Sequence, residues 1–111
     1  MLEDYKILNH YSLDLLKTLS INELKLLAEE TRDYIIKIVS KNGGHLSSNL
    51  GIIELTISLL YVFNANKDKI IFDVGHQTYA YKILTDRLNK FKTIRTFNGI
   101  SGFPKITESK F

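Results

Sequence analysis

The feature that most constrains the fold is a single apolar run that fits a β-strand. Residues 69–74 read KIIFDV and are followed by Gly75, which is typical of a short buried strand. Predicted helices lie on both sides of this run, so the element order indicates an α/β fold, mostly helical with one or few parallel strands. A parallel strand buried on both faces needs neighbours, which the rest of the sequence does not obviously supply. The sequence therefore predicts an incomplete sheet.

Three segments have the patterns expected of helices. Ser20 and Glu23 form a capping-box pattern, and apolar residues at spacings of three and four follow as far as Gly43. Residues 49–63 are apolar on more than one face, which predicts a helix buried between layers, with a strand as the alternative. Residues 78–89 form the third predicted helix. Its inner side is expected to carry Tyr79, Ile83, Leu84 and Leu88.

Length and composition indicate one globular domain. The chain has 111 residues, of which 44% are hydrophobic and 24% are charged, so residues 1–111 are expected to form one unit. Residues 90–111 are punctuated by glycine and proline and are expected to be irregular. Cysteine is absent, which excludes disulfides, cysteine-based zinc sites and thiol nucleophiles and fits a cytoplasmic protein.

Charge and hydropathy argue against nucleic-acid and membrane partners. The net charge is +3, but the lysines are scattered and form no block of like charges. An anionic ligand such as a phosphate remains compatible with this charge. The N-terminus lacks the pattern of a signal peptide. The most apolar stretch, residues 50–63, is too short to span a bilayer and contains Glu54.

Two of the three histidines directly follow a glycine, at Gly44-His45 and Gly75-His76. His76 comes after the predicted strand, at the edge where α/β folds bind ligands, and an imidazole there can donate to a phosphate oxygen. His45 comes at a second bend, ahead of the apolar helix. Each histidine alone also fits a turn residue or a helix cap, so both interpretations stay open. No metal ligand is predicted, because the histidines lack accompanying carboxylates.

Three separated stretches resemble the N-terminal part of the 1-deoxy-D-xylulose-5-phosphate synthase family, a thiamine-diphosphate-dependent group related to transketolase. They read GGHLSSNLGIIELTISLLYVF, DKIIFDVGHQTYAYKILTDR and GISGFPKITES, in the family's order and with its spacing. The resemblance begins near Leu19 and continues to the last residue. It implies that residues 1–111 are the incomplete N-terminal part of a transketolase-like, diphosphate-binding α/β domain.

The resemblance also implies a function and two site residues. The family condenses pyruvate with glyceraldehyde 3-phosphate, with loss of carbon dioxide, in isoprenoid precursor and thiamine biosynthesis. His45 corresponds to a catalytic histidine that moves a proton or hydrogen-bonds the substrate beside the cofactor's reactive carbon. His76 corresponds to a cofactor-binding histidine near the diphosphate of thiamine diphosphate. The family uses Mg²⁺, whose ligands the resemblance places outside this chain, and it forms homodimers.

Departures from the family pattern occur at Ala80, Tyr81 and Asp86. The family usually has proline and histidine at the first two positions and often glycine at the third. These changes alter that side of the site but keep His45 and His76. The Gly-Asp-Gly magnesium motif and the pyrimidine-binding domain are not found in this sequence, so the isolated chain is expected to be inactive. A companion chain could complete the site, or the chain could be a non-catalytic relic or interaction module that requires a partner.

Overall fold

A computed structural model describes all residues, 1–111, and consists of helices and irregular segments without a β-strand. The α-helices are α1 (Leu13–Leu16), α2 (Ile21–Asn42), α3 (Ser47–Leu50), α4 (Ile53–Val62) and α5 (Tyr79–Lys82). Helix α5 continues into a π-helical turn, Ile83–Arg87. Short 3₁₀ turns occur at Leu2–Asp4, Leu8–His10 and Phe91–Thr93. None of the helices combines the length and apolar character needed to cross a membrane.

Helix α2 forms as its sequence pattern predicts. The Ser20 hydroxyl accepts a hydrogen bond from the Glu23 N–H at 3.2 Å, and the Glu23 carboxylate accepts one from the Ser20 N–H at 2.9 Å. This reciprocal cap satisfies two N–H groups that the helix itself cannot bond. The helix ends before Gly43, whose φ of 79° favours glycine. Its apolar face is buried in the core through Leu27 and Ile35.

The N-terminal segment, which shows no clear sequence period, is fixed by a buried carboxylate on α2. Glu30 is only 7% exposed and accepts hydrogen bonds from the backbone N–H groups of Lys6, Ile7 and Leu8 at 2.8 to 3.0 Å. A carboxylate can be buried where backbone donors satisfy its oxygens. Leu8 is thereby held in the core.

The second predicted helix is present but differs from its prediction in two ways. It is broken near Gly51 into the short α3 and the longer α4. Helix α4 buries Ile57, but Leu55 and Val62 on its other side are 54% and 69% exposed. Within this chain, the helix is therefore covered on one side only. Helices α2 and α5 pack against α4, and no second layer of this chain covers its outer face.

The predicted strand at residues 69–74 does not form. No backbone hydrogen bond joins this segment to another part of the chain, and Ile71 and Val74 are 90% and 73% exposed. A strand requires a partner for its N–H and C=O groups, and no other segment supplies one. Alternate side chains, Ile70 and Phe72, nevertheless pack against the core. The expectation of one or few parallel strands is thus not met.

The third predicted helix and the irregular region after it are confirmed in outline. Helix α5 and its π-helical continuation bury Tyr79, Ile83 and Leu84 completely, whereas Leu88 is only half-buried. Lys82 and Arg87 are also buried, which the sequence pattern did not predict. From residue 90 onward only the Phe91–Thr93 turn is regular.

Candidate functional site

The two histidines that follow glycine lie together on the surface. The ring centroids of His45 and His76 are 5.6 Å apart, with an edge-to-face angle of 69°. Both side chains are half-buried. The glycines before them, Gly44 and Gly75, have φ of 143° and 96°, a region that L residues rarely occupy. Each glycine therefore permits the bend that presents its imidazole.

A buried amide joins the two histidine bends. Asn49 is fully buried, and its Nδ2 donates to the carbonyl oxygens of His45 and His76 at 2.7 and 2.9 Å. Its Oδ1 accepts from the Tyr79 N–H at 2.9 Å, at the start of α5. Sequence reasoning missed this role. The available signal was a polar residue one helical turn after His45 at the start of an apolar helix.

Tyr79 closes one side of His45. Its hydroxyl accepts from the His45 backbone N–H at 3.2 Å and lies 3.4 Å from the ring nitrogen Nδ1. The phenol ring is fully buried and packs against Phe91, with centroids 5.7 Å apart. A Cβ on Gly44 would lie 2.7 Å from the tyrosine hydroxyl, so the close approach of the phenol requires glycine there.

The C-terminal region covers the other side of the pair. The Phe103 ring stands edge-to-face on His45, with centroids 5.2 Å apart. Pro104 packs so closely on Gly75 that a Cβ there would overlap the proline ring. Glycine at position 75 is therefore required for the close packing of Pro104 at this bend.

A buried ion cluster holds this C-terminal region to the helices. Lys82, 1% exposed, donates from Nζ to the carbonyl oxygens of Ser101 and Phe103 and to Glu108 Oε1, at 2.6, 2.7 and 2.8 Å. Glu108 Oε2 accepts from the Ser101 N–H at 2.6 Å. Arg87, also buried, donates from Nη1 to Glu108 Oε1 at 3.2 Å. The sequence pattern gave no sign of these contacts.

The cluster favours an ionised Glu108. Burial opposes its ionisation, but hydrogen bonds from Lys82, the Ser101 N–H and Arg87 outweigh that effect and hold the pKa of the carboxyl below its usual value. Burial lowers the pKa of Lys82, and the bond to Glu108 offsets part of that change. Arg87 Nε has no hydrogen-bond partner, although Asp86 Oδ1 lies 3.4 Å away at ion-pair distance.

Ala80, Tyr81 and Asp86, the three positions that depart from the family pattern, make contacts away from the two histidine rings. Ala80 and Tyr81 are buried, and the Tyr81 ring packs edge-on against Phe72 at 5.3 Å. Burial raises the pKa of Tyr81. Asp86 is exposed, and its Oδ1 accepts from the Ser109 hydroxyl at 2.6 Å.

The donors at the site suit an anion better than a cation. His45 and His76 present imidazoles, which can donate to phosphate oxygens. No group of three or more histidine, cysteine, aspartate or glutamate side chains is placed to hold a metal ion. Two neighbouring imidazoles thus offer hydrogen-bond donors that suit a phosphate group. His10, the third histidine, is exposed on a 3₁₀ turn, apart from this pair.

Comparisons with known proteins agree with the motifs. Residues 8–111 match the family model described as 1-deoxy-D-xylulose-5-phosphate synthase. The synthase of Carboxydothermus hydrogenoformans is 60% identical over 86% of this chain and 15% of its own length. That of Clostridium acetobutylicum is 57% identical over 95% of this chain and 17% of its own length. The synthase of Clostridium kluyveri is 52% identical over 100% of this chain and 17% of its own length.

At the level of class, these relatives are thiamine-diphosphate-dependent transferases. The chain belongs to the 1-deoxy-D-xylulose-5-phosphate synthase family and corresponds to its N-terminal segment. This confirms the resemblance carried by the three sequence motifs. The chain spans only 15% to 17% of the length of the relatives described above. The roles of His45 and His76 stay predictions.

Proposed function

We propose that residues 1–111 supply the N-terminal part of the diphosphate-binding domain of a synthase that joins pyruvate to glyceraldehyde 3-phosphate with loss of carbon dioxide. His45 is its catalytic histidine and His76 binds the cofactor. The observation that carries this proposal is the meeting of two separate Gly-His bends, with ring centroids 5.6 Å apart. The Asn49 amide, which bonds both bends, supports a site held in one geometry.

The chemistry divides between the cofactor and the chain. Thiamine diphosphate, when bound, supplies the stabilisation of negative charge that decarboxylation needs. His76 donates a hydrogen bond to a phosphate oxygen. His45 holds or moves a proton at a ring nitrogen, a task suited to an imidazole near neutral pH. Tyr79 and Phe103 flank the His45 ring, which orients it and limits the access of water.

We further propose that the Mg²⁺ ligands come from another part of the synthase, so this chain alone is inactive. The lack of a metal-holding cluster among its side chains supports this view. Exposed apolar side chains, including Leu55, Val62 and Ile71, support a covering partner. That partner is the remainder of the synthase or a companion chain, in a homodimer like that expected of the family.

A chimeric enzyme tests the proposal. This chain replaces the corresponding N-terminal segment of the Clostridium kluyveri synthase, to which it is 52% identical throughout. We expect the chimera to form 1-deoxy-D-xylulose 5-phosphate. His45→Ala should lower kcat by about 100-fold or more, as expected for loss of a general acid or base. His76→Ala should raise the Kd of thiamine diphosphate by about tenfold, the effect of about 1.4 kcal/mol.

His10→Ala is the matched control, because that histidine is exposed and distant from both bends in sequence; it should leave kcat and Kd unchanged. A folded chimera that makes no product would contradict the proposal and favour the non-catalytic module. Calorimetric titration of the isolated chain with thiamine diphosphate and Mg²⁺ should show no saturable binding. Saturable binding would contradict the assignment of the Mg²⁺ ligands to another part of the synthase.

A further inference from the structure

We propose that the buried ion cluster is a latch for the histidine site, in which Lys82 and Glu108 are positioning residues. They hold residues 101–104 against His45 and Gly75 and so set the environment of the imidazole. The inference rests on the proposed function only because that function gives the histidine pair its role. The latch itself follows from contacts between α5 and the C-terminal region.

The first step is the hydrogen bonding of Lys82 to backbone atoms. Its ammonium donates to the carbonyl oxygens of Ser101 and Phe103, residues on either side of Gly102. Because both acceptors are backbone atoms, these two bonds fix the path of residues 101–103 whatever side chains they carry. Lys82 lies on the helix that begins with Tyr79, whose hydroxyl contacts His45. Helix α5 therefore carries both the lysine of the latch and the tyrosine that contacts His45.

The second step is the closure of the loop by Glu108. Its two oxygens accept from Lys82 and from the Ser101 N–H, so both ends of residues 101–108 are tied to the same point. Burial of these charges is expensive, and apolar residues of similar size often stabilise such sites better. Stability alone therefore does not explain why three ionic groups are buried here. Their directional hydrogen bonds do fix the position of residues 101–108 relative to α5.

The third step is the transfer of that position to the site. Phe103, held through its carbonyl oxygen, places its ring 5.2 Å from the centroid of His45. Pro104 follows and fills the space beside Gly75. A displacement of the loop moves both contacts at once. In an active site, a misplacement of about 1 Å costs up to about 100-fold in rate.

The latch can be tested by NMR on the 111-residue chain without a cofactor. The readout is the chemical shift of the His45 Cε1–H, assigned by its loss in His45→Ala. Phe103→Leu removes one neighbouring aromatic ring and defines the shift of the His45 imidazole without it. The double variant Lys82→Met/Glu108→Gln removes both charges but keeps the space filled. We expect it to move the His45 signal more than halfway to the Phe103→Leu position.

The matched control applies the same two substitutions to the Arg32–Glu54 ion pair, which is 2.8 Å long and links α2 to the α3–α4 region. Arg32→Met/Glu54→Gln should leave the His45 signal in place. An equal shift in this control would overturn the latch, because the loss of any ion pair would then be enough to move the His45 signal.

Circular dichroism first establishes that each variant keeps its helices. Should the double variant fail to fold, Glu108→Gln alone serves, since its amide still accepts from Lys82 but loses the acceptor for the Ser101 N–H. An unmoved His45 signal in the folded variant overturns the latch, even where the chimeric enzyme is active. A moved signal beside an inactive chimera supports the latch and rejects the proposed function.

Discussion

Two segments without helix or strand adjoin the histidine pair, and they are held in opposite ways. Residues 101–108 are anchored by Glu108, whose carboxylate is 8% exposed, and by two hydrogen bonds from Lys82 to their backbone. Residues 69–74 are rich in apolar side chains, yet Ile71 is 90% exposed and the segment has no backbone hydrogen bond to another part of the chain. In this chain, the presence of hydrogen-bond and ion-pair partners determines, more than hydropathy does, which of the two segments is held.

Residues 69–74 have one face packed on the core and one face exposed to solvent. Ile70 and Phe72 pack on the core, while Ile71 between them points to solvent. This alternation is that of an extended segment on the core, whose N–H and C=O groups have no backbone partner in another part of the chain. The apolar segment lacks backbone partners, whereas residues 101–108 are bonded internally through Glu108 and to α5 through Lys82. Four predictions test this contrast.

The largest expected effect is the loss of the anchor of residues 101–108. Glu108→Ala should lower the free energy of unfolding by about 3 kcal/mol, because it leaves Lys82 and Arg87 buried without their carboxylate. Glu54→Ala, which breaks an exposed ion pair with Arg32, should cost less than about 1 kcal/mol. Urea denaturation measures both. Equal costs would remove the distinction between the anchored segment and an ordinary surface.

The next effect tests the contact between Gly75, which directly follows the apolar segment, and Pro104. Gly75→Ala should destabilise the chain by about 2 kcal/mol, since its φ of 96° strains an L residue and the new Cβ meets Pro104. Gly51→Ala is the control: its φ is −74°, and its nearest neighbour would be the Ser47 carbonyl oxygen at 3.5 Å. It should be neutral or slightly stabilising. Thermal unfolding compares the two, and a cost for Gly51→Ala as large as that for Gly75→Ala would contradict the account.

A third prediction separates the two faces of residues 69–74. Phe72→Ala should cost about 1.5 kcal/mol, because the ring is half-buried against Tyr81. Ile71→Ser should change the free energy of unfolding by less than about 0.5 kcal/mol, as expected for an exposed position. Urea denaturation of both variants provides the measurement. A large loss in Ile71→Ser would mean that this side chain is buried in solution, for example against another molecule.

The sequence predicted the parts of the fold whose signals are local. Helix α2, its cap at Ser20 and Glu23 and its end at Gly43 depend on neighbours within one or two turns. The strand prediction at residues 69–74 failed because the pattern describes side chains, while a strand also needs backbone partners elsewhere. The N-terminal region gave no periodic signal, since Glu30 fixes it through contacts more than 20 residues away.

The candidate site was predictable only in part. Two Gly-His bends were visible in the sequence, but spacing alone could not bring His45 next to His76, and their assignment to one pocket came from the family resemblance. The role of Asn49 was not predictable, because its three hydrogen bonds reach backbone groups at both histidine bends and at the start of α5. The burial of Lys82 was not predictable either, because its hydrogen-bond partners lie 19 to 26 residues later in the chain.

The smallest expected effect is on the pH dependence of stability, and it tests whether the charge of Glu108 acts as described. Its pKa in the folded chain lies below its usual value, so folding favours the ionised carboxylate. Its contribution is therefore fully present above the unfolded pKa, about 4.3, and is lost as the pH falls through the lower folded value. Unfolding free energies of the natural chain should fall more steeply below about pH 5 than those of Glu108→Gln. Parallel curves would mean that the ionised form is not favoured by the fold. Glu54→Gln, at the exposed pair, should flatten the curve less, because solvent screens that interaction.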